Sequence, residues 1–270
     1  MTLALLLSAA GLVWFSLRYA WWRPAVSYRY PRILMYHMIA MPRRGARFNG
    51  LRVAPAFFEK QLQWLSRQGW HSFTVSELVT QAGRLPEKSF AITFDDGYAD
   101  NLLQALPLLK KYHCKATLYL VVDRFGRDWS TQRKAHHDEG ELKQETKLSD
   151  AQVQEMLASG CIELGSHSMT HANFSRLDAE AVGKELNDSR KVLEERFGVS
   201  IQSFAYPFGL YTPEQVALVE GAGFTSAVTA DEGIEDAESW DPLELQRIKI
   251  SGKDNWLVFL LRMRGGHRGL

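Results

Sequence analysis

The side chains best suited to chemistry in this chain lie in three short stretches. Ala91-Ile92-Thr93-Phe94-Asp95-Asp96-Gly97 is an apolar, β-prone run that ends in two carboxylates and a glycine, as expected where a buried strand leaves its sheet and turns into a site. Adjacent carboxylates repel, a cost that is offset if one binds a cation and the other works beside it as a base. Taken alone, an acidic turn explains the same residues. Ile162-Glu163-Leu164-Gly165-Ser166-His167-Ser168-Met169-Thr170-His171 is a second apolar run with a polar end. Its two imidazoles converge on one ion if the turn between them is helical. One acid of the first stretch with His167 and His171 makes a donor set that leaves positions open for water and substrate. In Ser203-Phe204-Ala205-Tyr206-Pro207-Phe208-Gly209, Pro207 and Gly209 force a defined turn, from which a backbone amide can face a developing oxyanion.

The elements that must position these residues follow from hydrophobic spacing. Strands are expected at Ile33 to Met38, Phe90 to Phe94, Ala116 to Val121, Ile162 to Gly165, Ser203 to Ala205, Thr225 to Thr229 and Gln246 to Ile250. Helices are expected from Pro55 to Gly69, Leu102 to Tyr112, Ser149 to Ser159, Ala179 to Phe197 and Pro213 to Ala222, several closed by a glycine. Alternation of this kind implies a parallel sheet wrapped by helices, and about seven units suggest a closed or nearly closed barrel. In such barrels function gathers at the carboxyl ends of the strands. Arg124 to Lys147 breaks the rhythm with a long polar segment holding His136 and His137, expected to be a solvated loop or insertion over the barrel mouth.

The 270 residues allow one large domain, and the formal charge of +1 argues against a nucleic-acid partner. Cys114 and Cys161 have the spacing of neither a disulfide framework nor a cysteine metal site. Met1 to Leu17 has no charged side chain, and Arg18, Tyr19, Trp21, Trp22 and Arg23 follow. Counted through Trp22, the segment just reaches the roughly 20 residues that span a bilayer, with an aromatic belt at its end. The expected organisation is therefore a membrane anchor over residues 1–23, a linker over 24–31 and a catalytic barrel over 32–270. Arginines on the carboxyl side favour the cytoplasmic side of the inner membrane for the barrel by the positive-inside rule, with the periplasmic or extracellular side as the alternative. A cleaved signal peptide and a buried or peripheral helix that never spans are the other readings of the segment.

Thr93-Phe94-Asp95-Asp96-Gly97, His167-Ser168-Met169-Thr170-His171 and Tyr206-Pro207-Phe208-Gly209, in that order, resemble the first three signature motifs of the polysaccharide deacetylases, the NodB-homology proteins of carbohydrate esterase family 4. The resemblance covers roughly Arg32 to Ile250 by element order. It implies a distorted (β/α)7 TIM-like barrel, a divalent metal that is most often zinc, with nickel, cobalt or iron as alternatives, and hydrolysis of an N-acetyl group on an amino sugar. Asp96, His167 and His171 become the expected metal ligands and Asp95 the general base. The backbone amide of Tyr206 becomes the oxyanion donor, and Pro207, Phe208 and Gly209 the substrate-binding turn. Such a metal acidifies water and polarises the amide carbonyl while Asp95 takes a proton.

Two positions depart from the family pattern. Ala205 stands where an arginine usually orients the catalytic aspartate, and Arg247 can supply that guanidinium from the last strand. Arg247-Ile248-Lys249-Ile250 lacks the usual histidine acid, and His37, at the end of the first strand, can face the same mouth in its place. Other readings of the donor set are a non-haem iron oxygenase, an inert carbohydrate-binding relative and a deacylase or deformylase of a smaller amide. The expected partners are an N-acetylated glycan or glycolipid and the membrane, without an obligatory protein partner. Arg262, Arg264 and Arg268 suggest a negatively charged or lipid-linked substrate, and Trp129, Trp240 and Trp256 are candidates for stacking on sugars.

Overall fold

A computed structural model describes residues 2–19, 21–129 and 140–266, without the side chains of residues 2–4 and 18. Its centre is a ring of parallel strands: β1 (Arg32–Tyr36), β3 (Ser89–Asp95), β4 (Ala116–Leu120), β5 (Ile162–Ser166), β6 (Ser203–Ala205), β7 (Ser226–Glu232) and β8 (Leu245–Lys249). The ring closes because β1 pairs with both β8 and β3. A short β2 (His71–Phe73) lies beside the first residues of β3. Every residue of β1, β3, β4 and β6 is buried, which is why these strands read as continuous rather than alternating apolar runs. The ring is least regular at β5–β6, which share the single register pair Ser166↔Phe204. The expected seven-stranded barrel is thus present.

The helices outside the ring follow the same chain order. They are α2 (Pro55–Arg67), α3 (Val75–Thr80), α4 (Leu106–Lys111), α5 (Asp150–Ala158), α6 (Ala179–Phe197), α7 (Pro213–Gly221) and α8 (Trp256–Gly265). Capping boxes at Thr74/Glu77 and Ser149/Gln152 start α3 and α5 by satisfying first-turn amides that have no partner inside the helix. α6 begins at the Asp178 cap and stops at Gly198, whose φ of 67° ends it in the left-handed region. Leu102 to Tyr112 is not one α-helix: Asn101–Ala105 forms a π-helical turn before α4. β2, α3 and α8 escape periodicity because two are very short and α8 lies past the last strand.

The amino-terminal segment is helical, and its described part does not establish a membrane span. Thr2–Tyr19 does form a helix, α1, but its 18 residues rise only about 27 Å. Among the described residues no helix is long and apolar enough to cross a membrane. Leu5, Leu6, Leu7, Leu12, Val13, Trp14 and Leu17 are exposed. The following chain is tied to the barrel by Arg32, whose guanidinium donates to the carbonyls of Ser27, Tyr30, Val26 and Met263.

The segment expected to be a solvated loop or an insertion over the barrel mouth lies over the mouth where it is described. Trp129 and Leu142 pack with Met38, Tyr98 and Val121 over the mouth of the barrel. The chain returns by pairing alongside the Asp-Asp-Gly turn, through Ala99 N–H to Thr146 O at 2.9 Å and Leu148 N–H to Gly97 O at 2.9 Å. His136, His137 and Arg268 lie outside the described residues.

Candidate active site

β3 delivers two carboxylates to the same cavity by different means. Asp95 is the last strand residue, and Asp96 follows at φ 76° with Gly97 at φ 71°, so the left-handed turn redirects a side chain that continued alternation would point away. A β-carbon on Gly97 would lie 2.4 Å from Leu120 Cδ1, so the turn needs glycine for space as well as for φ.

Asp95 is 2% exposed and is held across the barrel interior by Arg247 of β8. The guanidinium forms two parallel bonds, Nη1 to Oδ1 at 2.8 Å and Nη2 to Oδ2 at 2.9 Å, and also donates to Thr93 Oγ1 and Thr229 O. Burial alone would raise the pKa of Asp95, but Arg247, with His167 and His37, outweighs it and holds the carboxyl below its ordinary range. The arginine absent at position 205 is therefore replaced from another strand.

Asp96, His167 and His171 form the second half of the site, their ligand atoms lying within 4.8 Å of one another. Asp96 Oδ1 sits 3.5 Å from His167 Nε2 and 3.3 Å from His171 Nε2, yet that buried oxygen makes no hydrogen bond. A carboxylate oxygen and two ring nitrogens converging at 3.3 and 3.5 Å are the arrangement of ligands around a cation, and one carboxylate with two imidazoles suits zinc. His167 Nδ1 donates to Ala205 O at 2.8 Å, which fixes the tautomer and leaves Nε2 its lone pair. Burial pushes the pKa of His171 down to about 4, keeping it neutral. Burial would raise that of Asp96, but the two imidazoles hold it well below the carboxylate range.

The imidazoles do not converge through a helical turn, as their spacing suggested. Ser168 and His171 are left-handed, at φ 68° and 57°. The loop is pinned by Ser168 Oγ accepting from His171 N–H at 3.0 Å and by Glu185 of α6 accepting from the amide and hydroxyl of Thr170.

These groups open into a cavity of about 340 Å³ that also takes in His37, Phe48, Leu51, Trp129, Leu142, Tyr206, Phe208, Gly209 and Lys249. The chain from residue 82 to residue 227 matches the polysaccharide deacetylase family model. The chain belongs to the polysaccharide deacetylase family. YxkH of Bacillus subtilis (strain 168), whose name places it near the same family, is 32% identical over 222 residues, covering 81% of this chain and 71% of the relative. The poly-β-1,6-N-acetyl-D-glucosamine N-deacetylase of Staphylococcus aureus (strain MRSA252) is 27% identical over 67% of this chain, and the match spans only 61% of that enzyme's length. Among solved structures, the Streptococcus pyogenes deacetylase PplD in complex with acetate aligns with a TM-score of 0.69 and 25% identity, over 85% of this chain and 94% of that one. BC0361, a polysaccharide deacetylase from Bacillus cereus, aligns with a TM-score of 0.72 and 26% identity, over 87% and 69% of the two chains.

As a polysaccharide deacetylase the chain is a hydrolase of carbon–nitrogen bonds other than peptide bonds, and its residues can be sorted on that basis. His37 reaches the cavity; burial lowers its pKa against the pull of Asp96 and Asp95. Phe208, at φ 60°, meets His171 edge-on at 4.3 Å, and Gly209 lines the cavity. Pro207 is buried and sets the turn from beneath. The Tyr206 amide is a correction: it donates to Val228 O at 3.2 Å, so sheet pairing already uses the hydrogen expected to face an oxyanion.

Of the three tryptophans, only Trp129 reaches the cavity, stacked on His171 at 4.8 Å. Trp240 and Trp256 pack against apolar clusters. Arg262 is buried between Asp254 and Glu232, so it offers no charge to a glycan, whereas Arg264 donates to Trp21 O and is bound by no acid among the described residues. Sequence reasoning missed Lys147, whose buried ammonium, without a hydrogen-bond acceptor, lies 3.3 Å from the Tyr98 ring and 4.2 Å from the Trp129 ring. Nothing in its local sequence marks it.

Proposed function

We propose that the chain removes the N-acetyl group from an amino sugar in a cell-envelope glycan or lipid-linked saccharide, with Asp95 as general base. The observation that carries this reading is the side-by-side placement, in one cavity, of a guanidinium-held Asp95 and the Asp96, His167 and His171 donor set. The unbonded, buried Asp96 Oδ1 supports a resident divalent cation, zinc by its donor set. Such an ion supplies Lewis-acid polarisation of the amide carbonyl and acidifies the attacking water.

The remaining work falls to this chain's own groups. Asp95, ionised and oriented by Arg247, accepts the proton that water loses as its oxygen bonds to the acetyl carbon. The carbon–nitrogen bond then breaks, and the leaving nitrogen takes a proton from His37 in the imidazolium form that Asp96 and Asp95 favour against burial; the proton that Asp95 took recharges His37, and the amine and acetate depart. Phe48, Trp129 and Phe208 supply apolar walls suited to the faces of a sugar ring. The presence of Asp95, Asp96, His167 and His171 in one cavity argues against an inert binding relative.

The S. aureus relative makes a β-1,6-linked N-acetylglucosamine polymer the first substrate to assay. The exposed apolar side chains of α1, with Trp21 and Trp22 after it, support association of this end with the inner membrane, and Arg18, Arg23 and Arg29 after the apolar run favour the cytoplasmic side for the barrel. The test is acetate release and free-amine formation by the full chain, loaded with zinc, acting on N-acetylated oligosaccharides. Release that disappears in Asp95→Asn is expected. No release from any N-acetylated glycan by protein shown to hold zinc overturns the reading.

A further inference from the structure

β8 carries two cations on the face that lines the active-site cavity. Leu245, Arg247 and Lys249 share that face by alternation. Arg247 is buried and committed to Asp95, Thr93 and Thr229. Lys249, the last residue of the strand, is exposed and still lines the cavity beside Asp95, Asp96 and His37. Its backbone is fixed by pairing with Met35 of β1, and Ile250 N–H donates to Met35 O at 3.1 Å. The ammonium therefore springs from a rigid strand end rather than from a loop.

Among the described residues Lys249 has no ion pair or hydrogen bond. Of the acids on nearby elements, Glu232 and Asp254 are held by Arg262 and Asp95 is held by Arg247. The charged residues lining the cavity are Asp95 and Asp96 against Arg247 and Lys249. Arg247 is committed to Asp95, and Asp96 faces the imidazoles of His167 and His171, so neither acid is left to pair with Lys249. Lys249 adds a further positive charge, whereas an N-acetyl group and a plain sugar ring bring none to meet it.

We propose that Lys249 is a specificity-determining residue, and that the favoured substrate carries an anionic substituent, a carboxylate or a phosphate, on or next to the sugar that loses its acetyl group. This rests on the deacetylase reading and narrows its substrate class. A charged hydrogen bond at a partly open cavity changes kcat/KM by about tenfold, and salt weakens it.

The test uses the full zinc-loaded chain and three probes: an N-acetylglucosamine oligomer, the same oligomer bearing a carboxylate ether at O3, and the same oligomer bearing a phosphate at O6. Wild type is expected to favour one acidic probe over the neutral one by about tenfold in kcat/KM, and that probe identifies the group recognised. The preference shrinks at high salt, falls toward unity in Lys249→Gln, survives in Lys249→Arg and inverts in Lys249→Glu. Equal rates on all probes, or a preference untouched by Lys249→Gln, overturn the inference while leaving deacetylation intact. Acetate from no probe overturns deacetylation and this inference with it.

Discussion

Arg247 and Asp95 are joined by two parallel hydrogen bonds of 2.8 and 2.9 Å, with 1% and 2% of their surfaces exposed. Neither can be removed without stranding the other's charge, so Arg247→Met is expected to cost about 3–5 kcal/mol in denaturant unfolding. Because the folded pKa of Asp95 lies below its ordinary value, the pair stabilises the protein above the unfolded pKa. That contribution is lost as pH falls through the depressed one. Without the guanidinium the carboxyl binds protons at higher pH, so the acidic limb of the pH–rate profile moves upward. Arg247→Lys restores charge but not the fork and recovers stability better than rate. An unmoved acidic limb in Arg247→Met would separate this pair from the base.

His37 is fixed from behind by the π-helical turn. Asn101 Nδ2 donates to His37 O at 2.9 Å and to Asp100 Oδ1 at 3.0 Å, and Asp100 Oδ1 accepts from Ile39 N–H at 2.9 Å. His37→Ala is expected to lower kcat by about 10²–10⁴, the range of general acid–base catalysis, without loss of bound zinc. Asn101→Ala is expected to lower kcat less and to leave KM unchanged, since it frees the backbone of His37 without removing the imidazole. Steady-state kinetics paired with metal analysis decides this. Full activity in His37→Ala assigns the leaving-group proton elsewhere, with Asp95 returning what it took.

The sequence made the barrel legible wherever strands are buried on both faces, and all seven ring strands fall within a few residues of their expected bounds. β2 escaped because three residues beside half a strand leave no period to detect. Asp95, Asp96, His167 and His171 were legible as a set because each pair ends an apolar run. Their backbone was not, because left-handed φ at Asp96, Ser168 and His171 is imposed by tertiary contacts on residues that rarely adopt it. Trp129 was legible as a candidate for stacking on sugars but not as the neighbour of His171, and Lys147 only as a lysine, since both placements come from chain returning over the mouth. The apolar run at the amino terminus was legible as a helix, but a span was not, since no described helix is long and apolar enough to cross a membrane.

His171 titrates at about 4 in the fold against an ordinary 6.5, because burial disfavours its charged form. The unfolded chain then binds a proton over that interval and the folded chain does not, so stability falls as pH drops from about 6.5 toward 4. A bound cation needs the same neutral imidazole, so acid both weakens binding and destabilises the fold. Thermal melts of zinc-loaded and chelator-stripped protein across this range are expected to show a zinc-dependent gain that is largest near neutral pH and vanishes in acid. A gain that grows as pH falls would place the ion elsewhere than on His171. Asp96→Asn and His167→Ala are each expected to abolish the gain.

Gly97 and Gly69 both have φ of 71°, but a β-carbon on Gly69 meets open space whereas one on Gly97 meets Leu120 Cδ1 at 2.4 Å. Both alanine variants therefore incur the left-handed penalty of about 1–2 kcal/mol. Only Gly97→Ala must also push the turn away from β4, and that turn carries Asp96 as its preceding residue. Gly69→Ala is expected to lower the melting temperature and leave zinc affinity unchanged, whereas Gly97→Ala lowers both, with at least a tenfold loss of affinity, about 1.4 kcal/mol, in competition with a chelator. Equal zinc affinity in the two variants would mean that the Asp96 carboxylate is held by His167 and His171 rather than by the shape of its own turn.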